Sequence, residues 1–171
     1  MTGRSNALDL LLGAVLLFPL PAAASDREPW GEAGPWKLYV DRAAGNGCVM
    51  ERDLENGLRV RIGNLPRKGG QFLDILSREW TDVVDGESGE VDIDFSDDLF
   101  SGDATGIVEG AWYGGHIFTN NPEFLDLFAR KRSLSVGETG MEMYEISLDG
   151  TTKGLQALSK CQESQPTPVT E

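Results

Sequence analysis

The chain has 171 residues, of which 28 are Asp or Glu and 15 are Lys or Arg, giving a formal net charge of −13. Nucleic acids and anionic membranes require a basic footprint, so this charge argues against both as main partners and favours a partner with a basic patch. Two cysteines are too few for a four-ligand zinc site or an iron–sulfur cluster, and we expect no cofactor and assign no metal ligand.

Residues 1–24 have the pattern of a secretory signal peptide. A single early arginine precedes a largely apolar stretch over 7–18, and Ala22-Ala23-Ala24 fits the small-residue rule for cleavage before Ser25. The apolar stretch of about 12 residues is shorter than the roughly 20 that a membrane-spanning helix needs. The sequence therefore predicts a periplasmic or secreted protein without a stable membrane anchor.

At the start of the remaining chain, residues 25–35 contain prolines, glycines and charged residues, and at its end, residues 162–171 contain two prolines and no large apolar residue except Val169. Residues 25–35 are predicted to form a flexible leader, and residues 162–171 a disordered tail. The segment 36–161 between them is predicted to be a single domain, because one ordinary domain has about this length.

Within that domain, short segments of alternating apolar and polar residues predict β-strands with one face buried and one face in water. The alternation is clearest at 58–62, with two arginines between apolar residues, and at 91–95, with Asp92 and Asp94 between apolar residues. Further strands are predicted over 36–41, 71–76, 107–110, 112–118, 133–136 and 141–148.

Two helices interrupt the strands. The first is predicted to begin with Asn121 as N-cap and Pro122 at the first helical position, and it ends in a basic run at 130–132. The second is predicted from Thr151 or Thr152 to Cys161. This order of elements predicts a mainly β fold: an antiparallel β-sandwich or barrel-like sheet with two short helices packed on it.

His116 is the sole histidine, so any imidazole base would have to be this residue. It follows Gly114 and Gly115, whose missing side chains would let a ligand or another backbone approach. The favoured alternative is a strand histidine with a hydrogen-bonded or solvent-facing ring, and the sequence contains no Gly-x-Ser-x-Gly motif. We therefore assign no catalytic residue. The rival hypothesis is a small hydrolase that uses His116 or a pair of carboxylates.

Eight acidic residues between positions 85 and 103 are the main electrostatic feature of the sequence. Their spacing differs from that of a calcium-binding EF-hand loop, and Asp92 and Asp94 fall on the polar side of an alternating strand. A solvated acidic face is favoured, with calcium or a basic partner as the alternatives. Asp92 and Asp94, together with Trp112 and His116, are the candidate surface for a ligand or partner.

Cys48 and Cys161 are predicted to form one intramolecular disulfide. Export would place the chain in an oxidising compartment, where an even number of cysteines usually means pairing. The spacing excludes a Cys-x-x-Cys redox pair, and the alternative is two free thiols. The bond would hold the last helix to an early strand.

Several short motifs resemble the invasion-associated locus B family of small exported bacterial proteins. They are a tryptophan-led first strand, Gly-Cys-Val at 47–49, Gly-Leu-Arg-Val at 57–60, and the ending from Ile146 to Thr151 followed by a short helix. The resemblance implies an exported β-rich domain, in some members linked to host-cell invasion, without an established enzymatic activity. The family's usual additional cysteines are absent here, and no functional residue is carried over. We expect an exported, non-catalytic module that binds a protein or a small ligand.

Overall fold

The computed structural model describes residues 27–166, which form ten β-strands and two α-helices. The strands are β1 (Arg27–Ala33), β2 (Trp36–Asp41), β3 (Gly47–Asp53), β4 (Leu58–Leu65), β5 (Gly70–Ser77), β6 (Ser88–Asp94), β7 (Leu99–Glu109), β8 (Trp112–Thr119), β9 (Ser133–Glu138) and β10 (Tyr144–Ser147). The helices are α1 (Pro122–Arg130) and α2 (Thr151–Glu163). The predicted mainly β fold with two short helices is confirmed.

All ten strands belong to one antiparallel sheet with the order β1-β2-β3-β4-β5-β8-β7-β6-β9-β10, so the sheet is not closed into a barrel. It is nevertheless strongly twisted, as expected for a sheet of this size. Arg27 of β1 and Glu109 of β7, six places apart in the strand order, lie 3.2 Å apart from Nη2 to Oε1. Asn56, at the β3–β4 turn, donates to the carbonyl oxygen of Glu145 in β10 at 3.0 Å.

The chain ends differ from the prediction where the structure describes them. The segment expected to be a flexible leader instead forms β1, which pairs with β2. It lacks an apolar alternation because it is an exposed edge strand, with a register shift between Pro29 and Gly31. Helix α2 continues to Glu163, two residues into the predicted tail. The predicted signal peptide, 1–24, and residues 167–171 lie outside the described residues.

Both helices begin as the sequence predicts. In α1, Pro122 takes the first turn and the side chain of Asn121 accepts a hydrogen bond from the backbone N–H of Glu123 at 3.0 Å. Helix α2 begins after Gly150, which has a φ of 78°, a conformation that favours glycine. Neither helix in the described part of the chain is long and apolar enough to cross a membrane.

One side of the sheet, here called the helix face, carries the main hydrophobic core. It is defined by the buried side chains of Leu38, Met50, Val60, Ile75 and Ile117. Helix α2 packs directly on this face, because a Cβ at its Gly154 would lie only 2.9 Å from the sulfur of Met50. The absence of a side chain at Gly154 therefore brings the helix close to β3.

The predicted disulfide between Cys48 and Cys161 is confirmed. It joins β3 to α2 across a sequence separation of 113 residues, with the two Cα atoms 6.0 Å apart. Gln162 reinforces the same contact: its side chain accepts from the N–H of Cys48 at 2.9 Å and donates to the carbonyl oxygen of Asn46 at 3.2 Å. The last turns of α2 are thus fixed to the start of β3.

Replacing both cysteines by alanine should lower the free energy of unfolding by about 2–4 kcal/mol, because the unfolded chain loses a long-range cross-link. Urea denaturation of Cys48→Ala/Cys161→Ala and of the unmodified chain measures this difference. Reducing agent should destabilise the unmodified chain and leave the variant unchanged. Equal denaturation midpoints for the two proteins without reductant would contradict the prediction.

Candidate functional site

A row of charged side chains crosses the sheet on the side opposite the helix face. Glu51, Arg61, Asp74 and His116 are direct cross-strand neighbours on β3, β4, β5 and β8. Glu109 reaches the same place from the end of β7. We call these five residues the arginine cluster. The alternation at 58–62 predicts a water-facing arginine, but Arg61 is fully buried, so this part of the prediction is wrong.

Arg61 is surrounded by three carboxylates. Its two terminal nitrogens donate to the two oxygens of Glu109 at 2.9 and 2.8 Å, a bidentate pair. Nη1 also lies 3.4 Å from Oδ2 of Asp74. Nε lies 3.3 Å from Oε2 of Glu51 but makes no hydrogen bond, so this contact is one of charge alone. A guanidinium buried this deeply is tolerated only with such partners.

Glu109 shows the effect of this environment on acidity. Burial, the largest single influence, raises its pKa, but the hydrogen bonds and charges of Arg61 and Arg27 outweigh burial and lower the pKa below 4.5. The carboxylate of Glu109 is therefore held in its ionised form by two arginines from different strands.

His116 is oriented by the buried carboxylate of Asp74. Its Nδ1 lies 2.7 Å from Oδ1 of Asp74, while its ring packs beside Phe72 with the ring centroids 5.2 Å apart. The hydrogen-bonded strand histidine that the sequence favours is what the structure contains. The contact with Asp74 also holds the imidazole in one orientation, as a general base requires. A reaction that used His116 as a base would start from this orientation.

Trp112 lies on β8 among arginines. The guanidinium carbons of Arg59 and Arg78 lie 4.1 and 4.6 Å from the centroid of the Trp112 ring, at cation–π distances. Arg59 also forms a bidentate pair with Asp53 at 2.6 and 2.9 Å, and this hydrogen bonding lowers the pKa of Asp53. The Trp112 ring is thus already in contact with cations of the chain itself.

The acidic strand forms as predicted, and Asp92 and Asp94 both lie on β6. Asp92 accepts a hydrogen bond from the hydroxyl of Ser101 at 2.6 Å, and Asp94 accepts from the N–H of Ser96 at 2.7 Å. Strand β7 separates them from Trp112 and His116 on β8. In residues 27–166 no group of three or more His, Cys, Asp or Glu side chains is arranged to hold a metal ion.

A cavity of about 570 Å³ opens on the helix face, at the end of the strands away from α1. Its floor comes from β5, β8, β7, β6 and β9, through the apolar side chains of Ile75, Ile117, Ala104, Val91 and Val136. At the other end of the same strands, aromatic rings of the core fill the corresponding space. We call this cavity the pocket.

The pocket is hollow because glycines occupy positions where a side chain would fill it. A Cβ at Gly89 of β6 would meet nothing within 4 Å, and a Cβ at Gly115 of β8 would make only an ordinary contact with Ala104 at 3.5 Å. Neither glycine has a positive φ, so the backbone would accept a side chain at both places. The space therefore results from the choice of residues and not from strand geometry.

Two loops form the rim of the pocket. The loop between β5 and β6 is fixed to β7 by backbone hydrogen bonds from Gly86 to Gly106 at 2.8 Å and from Gly106 to Glu87 at 2.7 Å. The turn between β9 and β10 forms the opposite rim. The rings of Trp80 and Tyr144 connect the two rims, with centroids 4.9 Å apart.

None of the four residues predicted as a ligand surface, His116, Trp112, Asp92 and Asp94, lines the pocket. Sequence reasoning did not find the pocket, because its lining comes from five strands and two loops that are distant in the chain. The one available signal was the Gly114-Gly115 pair. The sequence predicts that these missing side chains let a ligand or another backbone approach. At Gly114 another backbone approaches, because a Cβ there would collide with the carbonyl oxygen of Ile75, while Gly115 faces the open pocket.

These features define a class of protein: a small antiparallel β-sheet protein with two helices on one face and a ligand-sized pocket at the end of that face. Its structure is similar to the crystal structure of the invasion-associated protein B from Bartonella henselae, with a TM-score of 0.55 and 12% sequence identity. The similarity covers 81% of this chain and 99% of that one, and it is a similarity of fold. No protein-family model and no curated protein matches the sequence.

Replacing Arg61 by methionine should lower the free energy of unfolding by about 3–5 kcal/mol, because it leaves buried carboxylates without their cation. Arg42→Met is the matched control. Arg42 pairs with Glu28 on the surface, where both side chains are more than half exposed, and a change of about 1 kcal/mol or less is expected. Chemical denaturation measures both. Equal effects of the two substitutions would show that the arginine cluster does not stabilise the fold.

The lowered pKa of Glu109 makes stability depend on pH on the acid side. A carboxyl group with a lower pKa in the folded state stabilises the protein above its unfolded value, near 4.5, and loses this contribution as the pH falls through the folded value. Urea midpoints of the unmodified chain and Glu109→Gln should therefore differ most at pH 6 to 7 and converge as the pH falls below 4.5. A constant difference across this range would refute the linkage.

Proposed function

We propose that this protein is an exported, non-catalytic binding module and that its ligand or partner binds in the pocket. The observation that carries the proposal is the cavity of about 570 Å³ with an apolar floor and polar groups at its rim. Small-molecule sites are clefts of about 300–1,000 Å³ that are mostly apolar and contain a few polar groups. Three exposed large hydrophobic residues, Val84, Met141 and Tyr144, also lie at this rim.

Export of the chain is supported by two independent features. Residues 1–24 have the composition of a signal peptide. The disulfide between Cys48 and Cys161 is of a kind that persists in the periplasm or outside the cell and is rare in the cytosol. The net charge of −13 favours partners with a basic patch and argues against nucleic acids.

We further propose that this protein is related to a known family of exported bacterial proteins. The motifs at 47–49 and 57–60, and the fold similarity to the invasion-associated protein B, support a relation to the invasion-associated locus B family. Some members of that family are linked to host-cell invasion, which favours a role in contact with a host cell. It is compatible with a binding module that faces the outside of the cell.

The rival function is a small periplasmic hydrolase, and the observation that favours it is the short contact between His116 and Asp74. A hydrolase would also need a nucleophile or an activated water beside the ring. Within residues 27–166, Asp74 is the side chain that contacts a ring nitrogen of His116, and Asp74 is shared with Arg61. The pair is thus part of a structural cluster, and we prefer the binding function.

Filling the pocket should abolish binding of an apolar probe. Nile red, a neutral dye whose fluorescence rises in apolar surroundings, should bind the mature chain from Ser25 onward and bind neither Gly115→Leu nor Gly89→Val. Both substitutions place a side chain in the open space, and a β-branched residue suits a strand. Two variants are used so that a folding defect in one leaves the other informative.

Gly31→Val is the control, because a Cβ at this exposed position of β1 also meets nothing within 4 Å and Gly31 does not line the pocket. It should bind the dye like the unmodified chain. Unchanged binding by folded Gly115→Leu and Gly89→Val, or no binding by the unmodified chain, would overturn the assignment of the pocket as the binding site.

A further inference from the structure

The charges that line the pocket are all of one sign. Five lining residues, Asp82, Glu87, Glu90, Glu138 and Glu142, are acidic and none is Lys, Arg or His. Glu90 alternates with Gly89 and Val91 along β6, so its side chain lies on the opposite face of the sheet. The charge at the pocket is therefore that of the other four carboxylates. They come from the two rim loops and from the strand ends beside them. An apolar cavity surrounded in this way by carboxylates attracts cations and repels anions.

These carboxylates also differ from many others in the chain by having no partner of their own. Asp53, Asp74, Asp97 and Glu109 each form an ion pair with an arginine or a lysine. The four carboxylates on the pocket side, those of Asp82, Glu87, Glu138 and Glu142, form no ion pair and accept no side-chain hydrogen bond within residues 27–166. Their charge is therefore available to a group that comes from outside the chain.

The rim adds a second feature that suits a cation. Trp80 and Tyr144 are both partly exposed there, and their rings lie 4.9 Å apart and inclined at 60°. The faces of tryptophan and tyrosine attract ammonium and guanidinium groups, and the attraction grows as water is excluded. Trp112, in contrast, already has arginines of the chain over its ring.

We propose that the pocket binds a small organic cation, an ammonium or guanidinium group attached to an apolar body. The apolar body lies on the floor formed by Ile75, Ala104 and Ile117. The cationic group lies at the rim, between the carboxylates and the rings of Trp80 and Tyr144. This inference rests on the proposed binding function and names the class of ligand. A small molecule fits better than a protein segment, since both sides of the pocket are bounded by anchored loops.

Three probes with the same alkyl chain test the charge preference: octylammonium, 1-octanol and octanoate. Backbone amide shifts of the mature chain in a nuclear magnetic resonance titration locate the site and give the affinities. Octylammonium should bind about tenfold more tightly than 1-octanol, with octanoate weakest, because one favourable cationic contact is worth about this factor. The preference should shrink in high salt, because the carboxylates are at the surface.

Glu138→Gln/Glu142→Gln should remove most of the preference for octylammonium while leaving 1-octanol binding unchanged. The control is Glu32→Gln/Glu163→Gln, which changes the net charge equally at exposed positions that do not line the pocket. The control should keep the preference. Equal losses in both variants would assign the preference to the net charge of the protein and overturn the site.

The outcomes distinguish failure of the cation assignment from failure of the proposed binding function. If 1-octanol or octanoate binds in the pocket as tightly as octylammonium, the cation assignment is wrong and the binding function stands. If none of the three probes shifts the pocket residues, the proposed function fails as well. Tighter binding of the peptide acetyl-Lys-Leu-Phe-Lys-amide than of octylammonium at the same residues would assign the pocket to a basic protein segment and overturn the small-molecule ligand.

Discussion

The buried guanidinium of Arg61 is the charge on which the arrangement of the sheet depends. Its carboxylate partners come from β3, β5 and β7, so they meet only if the sheet twists enough to bring Glu109 back over β4. A buried cation that loses such partners destabilises a fold by several kcal/mol. Because β7 also carries Ala104 and Gly106 of the pocket, the same interaction positions the pocket floor and the loop fixed to it.

The two ends of the helix face have different roles: one end forms a packed core and the other encloses the pocket. At one end, Phe95 packs edge-to-face on Phe128 at 5.3 Å, and helices α1 and α2 cover the core. At the other end, the same strands carry small residues and enclose the pocket. Stability is not uniform across a fold, and binding regions are drawn from its less tightly packed parts. The packed end, the disulfide and the arginine cluster allow the open end to remain hollow.

Local patterns in the sequence predict much of this fold, and what they miss has physical reasons. Asn121 with Pro122 marks α1, and the alternation at 91–95 marks β6, because both signals act within a few residues. Strand β1 escapes detection because an exposed edge strand needs no apolar face. The alternation does not predict the burial of Arg61, because it assumes water on one face of a strand. The twisted sheet instead buries both faces of β4 at this point. Sequence patterns do not predict the pocket, because it is a space left where glycines have no side chain.

The missing side chains at Gly114 and Gly115 are informative, because the fold requires only one of the two glycines. Gly114 is required by the fold, since any side chain there would collide with the backbone of β5. No such requirement exists at Gly115 or Gly89, where a side chain would have room and the φ is negative or extended. Glycine in a strand interior weakens the strand and leaves the core less well packed. Two destabilising glycines that the backbone does not need, both facing one cavity bordered by unpaired carboxylates, are accounted for if the space is kept for a ligand.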